Sequence, residues 1–209
     1  MTLLERAIEI AVHAHAGQMD EDGLPHIIHS LEVMFAVKRR FSGDRCLAPI
    51  LKKYTEEELL IAAVLHDTVE DSKGAITLDY IKSVFGENVA EIVDSVTRRG
   101  LGEGETKEFY RDFIYRARLN EGGAIIKLSD LHHNFGRLNK IAASKKKWRE
   151  KLEFKYGISI GVITDNISWE QASWSVQHDG PHAHYYIADP NGKKIEIPEE
   201  EFNQIFAKK

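Results

Sequence analysis

The stretch Leu65-His66-Asp67-Thr68-Val69-Glu70-Asp71 sets four ionisable side chains, His66, Asp67, Glu70 and Asp71, directly after the most apolar segment of the chain. Upstream, Thr55 followed by Glu58 has the form of a capping box, and Leu59, Leu60, Ala62, Ala63, Val64 and Leu65 predict a helix apolar enough to be central. Continued as a helix at 3.6 residues per turn, this register sets His66 above Glu70 and Asp67 above Asp71, with the two pairs about 100° apart. Three carboxylates beside so apolar a helix are costly to bury without a counter-charge, and a divalent cation is the obvious partner. Neutral imidazole with carboxylate suits Mn, Fe, Zn or Ni.

A side-by-side His-Asp pair needs further ligands from other helices. His29 opens a helical pattern after Pro25-His26-Ile27-Ile28, and Asp130 lies in Lys127-Leu128-Ser129-Asp130-Leu131-His132-His133-Asn134, with Asn134 one turn further along the same face. Around them the periodicity is helical throughout. Leu3, Leu4, Ala7, Ile8, Ala11 and Val12 define an amphipathic helix stopped by Gly17, and further helices are predicted over residues 29–41, 77–85, 89–97, 108–119 and 124–138. Near Gly157 the pattern changes to alternation, at 158–162 and 173–176, and 185–187 and 195–197 flank the turn signal Asp189-Pro190-Asn191-Gly192. A short helix is expected over 199–206.

The constellation His29, then His66-Asp67 with Glu70-Asp71, then Asp130 with Asn134 resembles the HD-domain metal-dependent phosphohydrolases. Within them it is most similar to the hydrolase domain of the RelA/SpoT alarmone enzymes and the small alarmone hydrolases. Ala14-His15-Ala16-Gly17-Gln18 with Gly23 and Pro25 resembles the opening motif of that family, and the match runs over residues 3–140. The resemblance implies a mainly α fold, an HD-domain helical bundle over residues 1–156, to which the alternating tail at 157–209 adds a small C-terminal antiparallel β appendage packed on it. It implies that His29, His66, Asp67 and Asp130 hold Mn²⁺ or another divalent transition metal. Glu70 and Asp71 would position and deprotonate the attacking water, and Asn134 would contact the sugar and scissile phosphate. Lys127, Arg98 and Arg111 are candidates, by proximity to the motifs, for meeting phosphate charge. His15 reads as core packing or as a hydrogen-bond partner of the site.

The implied activity is hydrolysis of the 3′-pyrophosphate of a (p)ppGpp-type alarmone to GDP or GTP and pyrophosphate. Two alternatives stand beside it: an HD-type phosphatase or pyrophosphatase on another nucleotide or phosphate ester, and a nucleotide-binding or interaction module with little turnover. The departures bear on substrate. Where the family has a basic pair after the Gly-Gln motif this chain has Asp20-Glu21, and its tyrosine, following proline and post-Asp arginine are His26, Ser30 and Leu131.

Composition bounds the rest. In 209 residues, 43% are hydrophobic and 29% charged, as in a folded domain with a core. The balance of 28 Lys+Arg against 33 Asp+Glu, net -5, points away from a nucleic acid polymer as partner, and the resemblance implies a small phosphorylated nucleotide instead. The single Cys46 reads as an ordinary thiol and, with no apolar run able to span a membrane, suggests a cytoplasmic protein without a membrane partner. In the tail, His178, His182 and His184 could chelate a metal across a turn, although polar residues on a solvent-facing hairpin are the plainer reading. Trp169, Trp174, Tyr185 and Tyr186 could pack the sheet on the helices or form a homo-oligomer interface.

Overall fold

The computed structural model describes residues 1–20, 23–43, 52–100, 108–141 and 145–164, and the backbone of three strands beyond them. Its helices are α1 (Leu3–Ala14), α2 (Ile27–Gly43), α3 (Glu56–Leu65), α4 (Thr68–Asp71), α5 (Leu78–Phe85), α6 (Glu87–Val96), α7 (Tyr110–Leu119), α8 (Glu121–Gly136) and α9 (Lys146–Ile163), with a 3₁₀ turn at Leu138–Lys140. The chain is mainly α, and none of these helices is long and apolar enough to cross a membrane.

Helix α3 is the axis of the bundle. The Thr55 hydroxyl accepts the Glu58 N–H while the Glu58 carboxylate accepts the Thr55 N–H, so both orphan donors at its start are satisfied. Leu59, Ile61, Ala62, Ala63, Val64 and Leu65 are all buried, because α1, α2, α6 and α8 pack around it on every side. A helix apolar all round is stable only in such a position. A second apolar cluster joins α7, α8 and α9 through Phe113, Ile114, Leu131, Phe154, Ile158 and Val162.

Two expectations are corrected here. The HD stretch is not one continuous helix: α3 stops at Leu65, the Thr68 hydroxyl donates to the Leu65 carbonyl at 2.7 Å, and Asp67 sits at φ -103°, ψ -4° before α4 begins. That side-chain bond competes with the helical ladder, as threonine does at helix ends. His66 and Glu70 therefore do not stack in one stripe with Asp67 and Asp71. Residues 158–162 are not a strand either. They belong to α9, with Ile158, Ser159, Val162 and Ile163 buried and the Ser159 hydroxyl within 3.1 Å of that of Tyr110. Apolar residues two apart also occur along a buried helical face, and a short run cannot separate the two periods. The expected boundary at 156/157 thus falls inside α9.

Strands β1 (Ser173–Asp179), β2 (His182–Ala188) and β3 (Lys194–Ile197) pair antiparallel in the order β1-β2-β3. In that register His178 is opposite Ala183, while His182 and His184 are opposite Asp179 and Gln177. Cys46, Glu21, Trp169, the turn at 189–192 and the helix expected over 199–206 lie outside the described residues.

Candidate metal centre and its cavity

Four elements bring the implied ligands together. His29 comes from the first turns of α2, His66 and Asp67 from the break between α3 and α4, and Asp130 from the middle of α8. His66 Nε2 is 3.0 Å from Asp67 Oδ2 and 4.0 Å from Asp130 Oδ1, and His29 Nε2 is 3.6 Å and 3.3 Å from the same two oxygens. His29, His66 and Asp130 are buried, and their ligand atoms lie within 4.8 Å of one another.

The donor chemistry fits a cation. His66 Nδ1 is 2.9 Å from the Ala63 carbonyl and donates to it, so Nε2 carries the lone pair, and Nε2 is buried with no hydrogen-bond partner. His133 Nε2 is 2.6 Å from Glu32 Oε2 and donates to that carboxylate. Its Nδ1 must then accept from His29 Nδ1 at 2.8 Å, which leaves His29 Nε2 as a bare lone pair towards Asp67 and Asp130. Electron pairs on two imidazoles and two carboxylates therefore converge on one point, an arrangement that repels unless a positive charge sits there.

The electrostatics give the same answer. Burial disfavours an imidazolium at His29, yet hydrogen bonds and charge from Asp130 and Asp67 outweigh it and push its pKa up to about 10. Without an ion the cluster draws a proton instead. Asp130 and Asp67 are both pressed upward by burial and, more strongly, downward by their cationic and imidazole neighbours, so both are held well below the ordinary carboxylate range. Lys127 is the cation beside Asp130, at 2.8 Å, and Asn134 donates to the other carboxylate oxygen at 2.5 Å. A one-residue change of register on α8 would lose both contacts.

Glu70 and Asp71 leave the ligand cluster on different sides. Glu70 accepts the backbone N–H of Arg98, and burial raises its pKa despite that bond. Asp71 Oδ2 is 3.4 Å from His15 Nδ1. The Arg98 guanidinium is held by the Glu108 carbonyl at 2.7 and 3.0 Å, and Arg111 pairs with its neighbour Asp112 at 3.4 Å. Of the candidate cations, Lys127 alone reaches the cluster, through Asp130.

A cavity adjoins the cluster, lined both by residues the sequence reading named and by Arg137, Trp148, Leu152 and Tyr156, which it did not. It has a volume of about 390 Å³, and its walls include His26, Asn134, Arg137, Trp148, Leu152 and Tyr156 beside His29 and Asp67. That volume is within the range of small-molecule sites. Asp20 stands at its edge and is paired with Arg137 at 2.8 Å, so its charge is answered within the protein. His133 was visible as the neighbour of Asn134, but its partner lies 104 residues away. Trp148 and Tyr156 were hidden because α9 itself was not foreseen.

Residues 7–102, the span from α1 past the His66-Asp67 break, match the HD domain family model. This chain carries an HD domain. Relatives of the HD domain include the guanosine-3′,5′-bis(diphosphate) 3′-pyrophosphohydrolase of Aquifex aeolicus, 35% identical over 179 residues, which are 84% of this chain and 24% of that protein. The bifunctional (p)ppGpp synthase/hydrolase SpoT of Escherichia coli is 30% identical over 158 residues, 72% of this chain and 20% of its own. The chain thus spans a quarter or less of the length of these curated relatives. Among solved structures, a metazoan ortholog of SpoT, described as hydrolysing ppGpp and playing a role in starvation responses, has the same fold. It superposes with a TM-score of 0.55 at 20% identity, over 78% of this chain and 85% of its own.

Proposed function

We propose that this protein is a metal-dependent phosphohydrolase that removes the 3′-pyrophosphate of a (p)ppGpp-type alarmone, giving GDP or GTP and pyrophosphate. The observation that carries the reading is the convergence of His29 Nε2, His66 Nε2, Asp67 and Asp130 beside a cavity of about 390 Å³ that His29 and Asp67 line, in an HD domain whose relatives are named for this reaction. His29, His66, Asp67 and Asp130 would hold the ion, for which we favour Mn²⁺. When bound, such an ion polarises a phosphoryl oxygen and lowers the pKa of water.

The chain's own groups supply the rest. Glu70, fixed at one oxygen by the Arg98 N–H, keeps its other oxygen to accept the proton of the attacking water, and a carboxyl raised by burial is better matched to that task near neutrality. The water oxygen bonds to the 3′-linked phosphorus as the bond to the 3′ oxygen breaks, so pyrophosphate leaves and a 3′-hydroxyl remains. Asn134 is oriented by Asp130 and stands in the cavity wall as a hydrogen-bonding group for the sugar and phosphate. Trp148 and Tyr156, which line the same cavity, offer flat apolar area for the base. The β strands form a small appendage that begins after α9, and one cysteine in the sequence fits a cytoplasmic setting.

The deciding experiment is pyrophosphate release from ppGpp by the Mn²⁺-loaded protein, with Glu70→Gln as control. Release with GDP as co-product, reduced at least ~100-fold in Glu70→Gln, supports the reading. Inactivity on ppGpp with turnover of another phosphate ester would keep the metal chemistry and discard the substrate. That second reading draws on Asp20, since a carboxylate stands at the cavity edge where the resembled family carries a base, although Arg137 neutralises it.

A further inference from the structure

Beside the HD ligands lies a second cluster that the proposed reaction does not use. His15 follows the end of α1, His26 precedes α2, and Asp71 ends α4, and one ligand atom from each lies within 4.8 Å of the others. The loop between α1 and α2 is folded back to make this possible: the His26 N–H donates to the Gln18 carbonyl at 3.0 Å, and Met19 bridges to Pro25. The two rings meet with centroids 4.5 Å apart.

Each imidazole of the cluster has one buried nitrogen without a partner, although His15 Nδ1 is 3.0 Å from the Gln18 amide oxygen. His15 is 3% exposed and its Nε2 is buried with no hydrogen-bond partner. The Nε2 of His26 is buried and without a partner as well. Buried ring nitrogens are rarely left so, and here the two stand on adjacent rings, with Asp71 Oδ2 3.4 Å from His15 Nδ1 and Asp67 Oδ2 3.6 Å from His26 Nε2. A proton can answer one lone pair, whereas a cation answers several at once.

The charge balance points the same way. Asp67, Glu70, Asp71 and Asp130 gather around one lysine, Lys127, while the Arg98 guanidinium is turned to the Glu108 carbonyl and Arg137 to Asp20. One divalent ion and Lys127 leave four carboxylates undercompensated before a polyanionic substrate arrives. A second divalent ion reverses the sign of the site.

We propose that His15, His26 and Asp71 bind a second divalent transition-metal ion, with Asp67 bridging it to the ion of the HD ligands. His26 links the two positions: its Nε2 is 3.6 Å from the same Asp67 oxygen that faces His29 and His66. Donors that lie within 4.8 Å of one another reach ligand distances of about 2.0–2.2 Å after an inward shift of each by less than about 1 Å, within the range of side-chain rotation. Carboxylate-bridged ions about 3.5–4 Å apart form the clamp used by two-metal hydrolases on the attacking and leaving oxygens of a phosphoryl group. His26 and Asp67 line the cavity, which provides the entry path. Asp71 is then a ligand, and Glu70 is left as the sole proton acceptor.

The proposal rests on the HD ion of the preceding section, and stoichiometry separates the two. Metal-free full-length chain is equilibrated with Mn²⁺, and bound metal per chain is measured by elemental analysis and by electron paramagnetic resonance. Two ions per wild-type chain with the signal of an exchange-coupled pair, falling to one isolated ion in His26→Phe and in Asp71→Asn, is the expected result. One ion in wild type, with or without weaker binding in His26→Phe, overturns the second site and leaves the HD ion standing. No bound ion in wild type overturns both.

Discussion

At the scale of single residues, the proposed ligands stood out because their chemistry is rare in a core. His66, Asp67 and Asp130 are costly to bury unless something pairs with them, and their sequence context said as much. Their supports were not legible, since a hydrogen bond between His29 and His133 depends on where α2 and α8 cross and on nothing local. The relay Glu32 to His133 to His29 decides that His29 Nε2 carries the lone pair towards Asp67 and Asp130. His133→Leu should therefore weaken Mn²⁺ binding to the metal-free protein by ~10–100-fold. His133→Asn, whose amide oxygen can replace Nδ1 as acceptor, should recover most of that loss. Equal affinities for wild type and His133→Leu in a binding isotherm would remove the relay.

At the scale of elements, α6, α7 and α8 are tied together by a half-buried ion pair and by close approaches at Gly122 and Gly123. Arg116 on α7 donates to the carbonyls of Asp94 and Thr97 at 2.5 and 2.7 Å, capping the end of α6, and to both Glu108 oxygens at 3.0 and 2.7 Å. Burial raises the Glu108 carboxyl, but the bonds from Arg116 and from the Arg99 N–H outweigh it and bring its pKa below the usual 4.5. A depressed folded value means that the stabilisation is present above about 4.5 and lost as the pH falls through the folded pKa. Glu108→Gln should accordingly lower Tm at neutral pH, and the two proteins should converge in acid; a difference independent of pH would show that charge is not its origin.

The approach of α8 is set by Gly122. A Cβ there would lie 2.9 Å from Ile92 Cγ1 and 3.0 Å from Leu59 Cδ2. Alanine improves helix propensity by at most about 1 kcal/mol over glycine, while overpacking a core costs about 1–3 kcal/mol. Gly122→Ala should thus lose about 1 kcal/mol, a fall in Tm of ~2–4 °C. An unchanged or higher Tm would mean that Ile92 and Leu59 yield freely.

At the scale of the molecule, the bundle holds four carboxylates at the meeting point of α2, α3, α4 and α8, and their mutual repulsion is a charge on the whole fold. Loading with Mn²⁺ at 100-fold above its dissociation constant should stabilise the native state by about 2.7 kcal/mol, a rise in Tm of ~5–10 °C over the chelated protein. Calorimetry with and without chelator measures it, and identical transitions would contradict a metal centre at this junction. Helix α9 has a comparable reach: its apolar side completes the second core cluster, and its Trp148, Leu152 and Tyr156 wall the cavity.

The division between the two levels is physical. Caps at Thr2, Thr55 and Thr77 and the 3.6-residue recurrence of apolar side chains act within a few residues, so helix positions could be read along the chain, while His29, His66, Asp67 and Asp130 were gathered as candidate ligands by the family resemblance. The break at His66-Asp67 and the helical state of 158–162 were decided by a hydroxyl bond and by packing against α7 and α8, which override local periodicity. Likewise the His15, His26 and Asp71 cluster and the Asp20–Arg137 pair exist only because distant segments meet, and an encounter in space leaves no periodic trace in sequence.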